Sequence, residues 1–251
     1  MIKLILVVLL LIIFLILMIP VMLILLLISR TNRYLSSDIA QAIVKFIFRT
    51  MIFITGTRVK IIGRDNIPVK GGVLFVSNHR SYFDILIGFG YTHKKFGFVA
   101  KAEMLKYPLL NTWMTLVNCL FLDRTDMKKG LKTILSGIDN VKKDISVWIC
   151  PEGTRNRSED NLNIGEFKEG SLKIAEKSGC AIVPVAIYGT SEIFEQHLPF
   201  MKSGNVTIEY GIPFYIKDLE PENKKKSGAY TREVILAMLS EERDRRKGDI
   251  Q

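Results

Sequence analysis

Gly71-Gly72-Val73-Leu74-Phe75-Val76-Ser77-Asn78-His79-Arg80-Ser81-Tyr82-Phe83-Asp84 is the stretch that decides the fold. Two glycines break the chain, an unbroken apolar run follows, and Ser-Asn-His comes directly after it. A short continuous apolar run bounded by turn residues reads as a strand buried on both faces, the kind found in parallel sheets covered by helices. Ser81 is placed to cap a helix starting near Phe83. The stretch therefore reads as strand, exit and helix, with His79 delivered to the carboxyl end of the strand. Asp84 then falls in the first helical turn, where a carboxylate satisfies free amides and complements the helix dipole. That structural role stands beside a catalytic one.

Outward from this stretch, short β-branched runs continue to alternate with longer helical ones. Strands are predicted at 59–62, 73–76, 97–100, 119–122, 146–150, 182–187 and 206–210, and helices at 83–90, 104–116, 127–142, 171–177 and 231–245. The alternation predicts an α/β domain. Each polar motif falls just past a strand end, where ligand sites of open α/β sheets collect.

Residues 1–55 differ in character from the rest. Leu4 to Ile28 is an apolar run whose only helix-disfavouring residue is Pro20; as one helix it reaches about 37 Å against a hydrocarbon core of about 30 Å. It exceeds the apolar region of a signal peptide, about 7–15 residues, and Ser29-Arg30-Thr31-Asn32-Arg33 follows instead of a cleavage site. A second segment, 38–54, carries Gln41, Lys45 and Arg49 every fourth residue on one helical face. It reads either as a helix resting in the membrane interface or as an amphipathic helix packed on the domain. Whether 4–28 spans the bilayer or forms one arm of a shallow hairpin with 39–54 stays open at this level. Arg30, Arg33, Lys45 and Arg49 follow the run and only Lys3 precedes it, so the positive-inside bias puts the domain on the cytoplasmic face.

The 251-residue chain carries a formal net charge of +10. No zinc-ligand spacing, RNP-type aromatic box or helix-turn-helix accompanies that charge, which argues against nucleic acid and for anionic lipids and substrates. Lys224-Lys225-Lys226 and the basic run 243–247 could add attraction to an acidic leaflet, but a solvated helix face with a charged tail is the favoured reading. Three widely spaced cysteines, Cys119, Cys150 and Cys180, make neither a disulfide framework nor a metal site. No phosphate-binding G-x-x-x-x-G-K-[ST] loop is present.

His79 and Asp84 have the spacing and chemistry of a general base and its orienting carboxylate. No G-x-S-x-G nucleophile elbow occurs, so the nucleophile is expected to be a hydroxyl of the substrate. Pro151-Glu152-Gly153-Thr154-Arg155 combines a glycine that lets a ligand approach the backbone with an arginine suited to phosphate. Arg124, after the strand at 119–122, and Lys101, after the strand at 97–100, add cations at further strand exits. Together the three compose a phosphate cradle, although each alone reads as a surface charge.

Taken in order, Asn78-His79 to Asp84, Phe121-Leu122-Asp123-Arg124, Pro151 to Arg155 and Val183-Pro184-Val185, with Phe167-Lys168-Glu169-Gly170, resemble the motifs of the glycerolipid acyltransferases over about residues 56–215. The resemblance implies an α/β domain with a mixed, largely parallel sheet flanked by helices. Residues 56–251 would be the catalytic domain and 1–55 its N-terminal membrane helices. It implies direct transfer of a fatty acyl group from a coenzyme A or acyl-carrier-protein thioester to the sn-2 hydroxyl of lysophosphatidic acid, giving phosphatidic acid. No cofactor, metal or acyl-enzyme is required. By the same resemblance His79 is the base, Asp84 its orienting partner, and Arg124 and Arg155 the phosphate ligands with Lys101 in support. Glu152, Gly153 and Thr154 shape the acceptor pocket; pairing of Glu152 with an arginine is an alternative. Another lysophospholipid or glycerol 3-phosphate is the competing acceptor. A non-catalytic membrane protein that binds anionic lipids is the competing class, and it would tolerate loss of His79.

Overall fold

The computed structural model describes residues 1–248. The apolar run at the start forms two helices, α1 (Ile2–Leu17) and α2 (Ile19–Thr31). Pro20 occupies the first turn of α2, where its missing N–H has no intrahelical role, and the two axes meet at 55°. The run expected as one continuous segment is therefore broken near Met18. At ~1.5 Å per residue α1 is about 24 Å long and α2 about 20 Å, and neither alone matches a core of about 30 Å. Among the described residues no single helix is long and apolar enough to cross a membrane, while the bent pair passes by length and composition only.

The third helix, α3 (Arg33–Thr55), is capped by the Asn32 side chain, which accepts from Leu35 N at 3.0 Å, and stops at Gly56 in the left-handed region. Its polar stripe faces the domain. Gln41 Nε2 donates to Phe96 O at 2.7 Å and Arg49 Nε to Gly90 O at 2.6 Å. Large apolar side chains face outward as well: Phe46 is 69% exposed and Phe53 82%.

The sheet comprises β1 (Arg58–Ile62), β2 (Leu74–Ser77), β3 (Phe96–Lys101), β4 (Leu120–Leu122), β5 (Ser146–Ile149), β6 (Ile182–Tyr188) and β7 (Asn205–Tyr210). Helices α4 (Phe83–Tyr91), α5 (Leu110–Leu116), α6 (Met127–Lys142), α7 (Lys173–Ser178), α8 (Pro221–Lys225) and α9 (Ser227–Gly248) complete the chain. The strand order is β1-β7-β6-β2-β5-β3-β4. Neighbours from β6 to β4 are parallel, β7 is antiparallel to β6, and β1 runs parallel to β7. The sheet is thus mixed and largely parallel, as the family resemblance implies. The helix expected at 104–116 is split at Pro108 into a 3-10 turn (Ala102–Lys106) and α5, because proline disfavours helix in the residue before it.

Both sheet faces are covered, which is why the central strands read as uninterrupted apolar runs. Phe75, Phe96, Phe98, Trp148 and Val183 share one core with residues of α1 to α5. Leu74, Val76, Val147 and Ile149 pack on the other face with α6, α7 and α9. Trp148 is fully buried, its ring centroid lying 5.1 Å from that of Phe75. The N-terminal helices join the first core along their length. Phe14 packs on Trp113 with ring centroids 5.0 Å apart, and Lys3 Nζ donates to Thr55 O and Ser203 Oγ, each at 2.7 Å.

Candidate active site

Four neighbouring parallel strands, β2, β5, β3 and β4, release the chain at one edge of the sheet. All the predicted site residues lie there. His79 and Asp84 follow β2, Glu152 to Arg155 follow β5, Lys101 ends β3 and Arg124 follows β4. At about 4.8 Å per strand, the exit of β4 is about 14 Å from that of β2.

The exit of β2 is held from three sides. Trp148 Nε1 donates to Ser77 Oγ at 2.8 Å. Asn78 is pinned to β6, its Nδ2 donating to Ile187 O at 2.8 Å and its Oδ1 accepting from Ile187 N at 2.9 Å. His79 N donates to Glu152 Oε1 at 2.8 Å, and His79 O accepts from Asn156 N at 2.8 Å. The imidazole therefore projects from a fixed backbone. Its Nδ1 lies 2.8 Å from Asp84 Oδ2. Since a carboxylate only accepts, Nδ1 carries the proton and Nε2 presents a lone pair. Among the described residues Nε2 has no hydrogen-bond partner, and the side chain keeps 19% exposure.

Helix α4 begins at Phe83 with Tyr82, not the predicted Ser81, at its N-cap position; Ser81 Oγ instead accepts from Phe83 N at 2.9 Å in a local turn just ahead of the helix. Asp84 reaches back over this junction. Its Oδ2 accepts from Arg80 N at 2.7 Å and Ser81 N at 2.9 Å as well as from His79, and its Oδ1 accepts from Thr190 Oγ1 at 2.6 Å. One carboxylate thus accepts from the amides ahead of the helix and from the imidazole at the same time. Asp84 is buried, and apart from His79 no cationic side chain pairs with it among the described residues. Its charge is held by backbone amides at a helix N-terminus and by a hydroxyl, the compensation a buried carboxylate requires.

Glu152 pairs with amides rather than with an arginine. Besides His79 N, it accepts from Gly165 N at 2.8 Å, which ties the β5 exit to His79 and to the following loop. Arg80 ties the same loop from the other side: its buried guanidinium donates to Asp160 O at 2.8 Å and also to Ser158 O. Burial lowers the Arg80 pKa, with Asp84 and Glu152 opposing.

The three predicted phosphate ligands do not share one cavity. Lys101 and Arg124 line a cavity of about 330 Å³ together with Lys106. Arg124 spans most of the distance back to β5, since its Nη1 donates to Gly153 O. Gly153 has φ +79, and a Cβ there would sit 2.8 Å from Arg124 Nη1. Arg155 lies elsewhere, stacked over Tyr82 with its guanidinium carbon 3.6 Å from the ring centroid and Nη1 3.3 Å from Glu195 Oε1. Thr154 is exposed and its side chain makes no hydrogen bond among the described residues.

Glu195 and Thr190 were not singled out from the sequence. Glu195 also accepts from Ser81 Oγ at 2.6 Å and Tyr82 N at 2.9 Å, contacts that no local pattern announces across more than a hundred residues. Thr190 carried one usable signal: it stands just beyond the strand predicted at 182–187, as His79 stands beyond 73–76. Cys150 lines the neighbouring cavity beside Gly153; burial pushes its thiol up to about 12, outweighing the hydrogen bond with Ser77, which disfavours the thiolate a nucleophile needs. Among the described residues no cluster of His, Cys, Asp or Glu is arranged to hold a metal ion.

Comparison with known proteins fits this geometry. The family described as Acyltransferase matches residues 58–188. A 1-acyl-sn-glycerol-3-phosphate acyltransferase of Borreliella burgdorferi is 30% identical over 189 residues, covering 75% of this chain and 74% of that protein. An enzyme of the same name from Saccharomyces cerevisiae is 29% identical over 76% of this chain and 62% of its own length. The crystal structure of the 1-acyl-sn-glycerophosphate (LPA) acyltransferase PlsC from Thermotoga maritima superposes with a TM-score of 0.72 at 25% identity, covering 88% of this chain and 87% of that one.

Proposed function

The chain belongs to the acyltransferase family, and from that premise we propose that it acylates the sn-2 hydroxyl of 1-acyl-sn-glycerol 3-phosphate, giving phosphatidic acid. The observation that carries the reading is the His79 Nδ1–Asp84 Oδ2 contact of 2.8 Å, with Nε2 at the β2 exit unpartnered among the described residues. Nε2 takes the proton of the acceptor hydroxyl as the oxygen attacks the thioester carbonyl. The tetrahedral intermediate then expels the thiolate, and the imidazolium returns its proton to the departing sulfur. Asp84 keeps the ring in the required tautomer and stabilises its transient positive charge. Such general-base help contributes about 10²- to 10⁴-fold. The nucleophile is supplied by the substrate, in keeping with the raised thiol of Cys150.

Arg124 and Lys101 hold the acceptor phosphate, and Arg155, restrained by Tyr82 and Glu195, offers its remaining donors from the β5 side. Glu152 and Gly153 shape the pocket through the backbone they position. The donor is an acyl thioester of coenzyme A or of acyl carrier protein. Residues 1–55 anchor the enzyme, with 56–251 as the catalytic part facing the cytoplasm. A single-leaflet attachment is supported by Lys3 and Phe14, both bonded or packed onto the domain, and by the outward apolar residues Leu9, Ile13, Leu23, Leu27, Phe46 and Phe53.

The test is transfer of labelled palmitoyl from coenzyme A, and separately from acyl carrier protein, to lysophosphatidic acid in membranes holding wild type or His79→Ala at matched expression. Product from wild type alone is expected. Equal product from both, above an empty-vector background, removes His79 from the chemistry.

A further inference from the structure

We infer that Thr190 is a positioning residue for the acyl transfer, acting through Asp84; the inference rests on the proposed role of His79 as base. Thr190 is buried just past β6, the parallel neighbour of β2. Gly189 has φ +85, and a Cβ there would lie 2.7 Å from Asn205 O, so glycine is needed for the turn that brings residue 190 over the β2 exit. The neighbouring Asn78–Ile187 bonds lock these two exits in register.

The direction of the Thr190 bond is unambiguous. A carboxylate can only accept, so the hydroxyl donates its one proton to Oδ1 at 2.6 Å. Oδ2 already serves His79, Arg80 N and Ser81 N, while Oδ1 has no other partner among the described residues. The terminal torsion of an aspartate is broad and two-fold, so it is set by the donors that each oxygen meets. With Thr190 in place, both oxygens are satisfied only when the carboxylate plane sets one oxygen on the imidazole and the other on the Thr190 hydroxyl. Without it, Oδ1 is left buried and unpaired, and the carboxylate can turn Oδ2 out of line with Nδ1.

The variants to compare are Thr190→Ala, which removes the hydroxyl without adding bulk against Oδ1, and Thr190→Ser, which keeps it. The expected result is a fall in kcat of about 10- to 100-fold for Thr190→Ala, as for loss of part of a general-base contribution. KM for lysophosphatidic acid and for palmitoyl-coenzyme A should stay within about twofold, and Thr190→Ser should restore most of kcat. In an Asp84→Ala background, Thr190→Ala should cost less than about twofold more, because the group through which it acts is gone. An additive loss in that background, or a Thr190→Ser variant as slow as Thr190→Ala, overturns the inference and leaves Thr190 a packing residue. A Thr190→Ala variant with wild-type kcat overturns it too. If Thr190→Ala does not fold, the comparison of Thr190→Ser with Thr190→Cys, which offers only a weak donor, decides instead: equal kcat refutes the role. His79→Ala run in parallel separates the two readings, since a fully active His79→Ala defeats the proposed chemistry itself, whereas an inactive His79→Ala beside an unimpaired Thr190→Ala defeats only this inference.

Discussion

Asp84→Asn isolates the charge of the orienting carboxylate from its hydrogen bonds. In the wild type Oδ2 faces three donors, His79 Nδ1, Arg80 N and Ser81 N, and Oδ1 faces one, Thr190 Oγ1. An asparagine can keep its carbonyl oxygen on the three donors and turn its NH₂ toward Thr190, whose hydroxyl also accepts. The fold and the histidine tautomer are therefore retained, and only the attraction between carboxylate and imidazolium is lost. For charge centres about 4 Å apart in an effective dielectric of about 20, that attraction is about 4 kcal/mol, equivalent to roughly 10³-fold in rate. The expected outcome is a fall in kcat of about 10³-fold with KM for both substrates nearly unchanged and a melting temperature within a few degrees of wild type. Steady-state kinetics with labelled acyl donor and a thermal melt on the same preparation provide the check. A loss below tenfold would mean that imidazolium charge does not develop in the transition state; a collapsed melting temperature would mean that the amide is not accommodated as described.

Glu152→Gln should lower both stability and turnover, because an amide keeps only one of the acceptors that serve His79 N and Gly165 N. One orphaned buried donor is worth about 1–3 kcal/mol, or a fall of roughly 2–12 °C in melting temperature for a protein of this size, read by calorimetry. Gly153→Ala should displace the Arg124 guanidinium that a Cβ would meet at 2.8 Å; loss of one charge-assisted hydrogen bond to phosphate predicts a KM for lysophosphatidic acid raised about 10- to 100-fold, and an effect confined to the thioester KM would refute the assignment of Arg124. Cys150, its thiol raised to about 12, should resist iodoacetamide at pH 8 in the folded protein and react once denaturant is added, as peptide mapping can follow. Phe46→Glu with Phe53→Glu should reduce flotation with anionic vesicles by about 10²-fold or more, since each buried phenylalanine contributes about 1.5–3 kcal/mol, while leaving the melting temperature close to wild type because both rings face outward.

Local pattern was enough to identify the sheet strands and their exits, although it missed the break near Met18 and the split at Pro108. The run Val73 to Val76 had to be a strand covered on both faces, and Ser81 with Asp84 had to begin a helix, because burial and capping are written in adjacent residues. The same holds for Lys101, Arg124 and the Glu152–Arg155 segment, each placed at a strand end by the apolar run before it. Which exits become neighbours was decided by the tertiary structure. Hydrophobic period tells a strand which faces are buried but not which strand it pairs with, and only the insertion of β5 between β2 and β3 sets Glu152 on the amide of His79. The polar stripe of α3 illustrates the same limit: spacing put Gln41 and Arg49 on one face, and the free carbonyls of Phe96 and Gly90 turned that face inward. Thr190 and Glu195 reach the site from more than a hundred residues away. Their contacts exist because the β2 and β6 exits are locked side by side, a long-range packing outcome that no window of sequence contains.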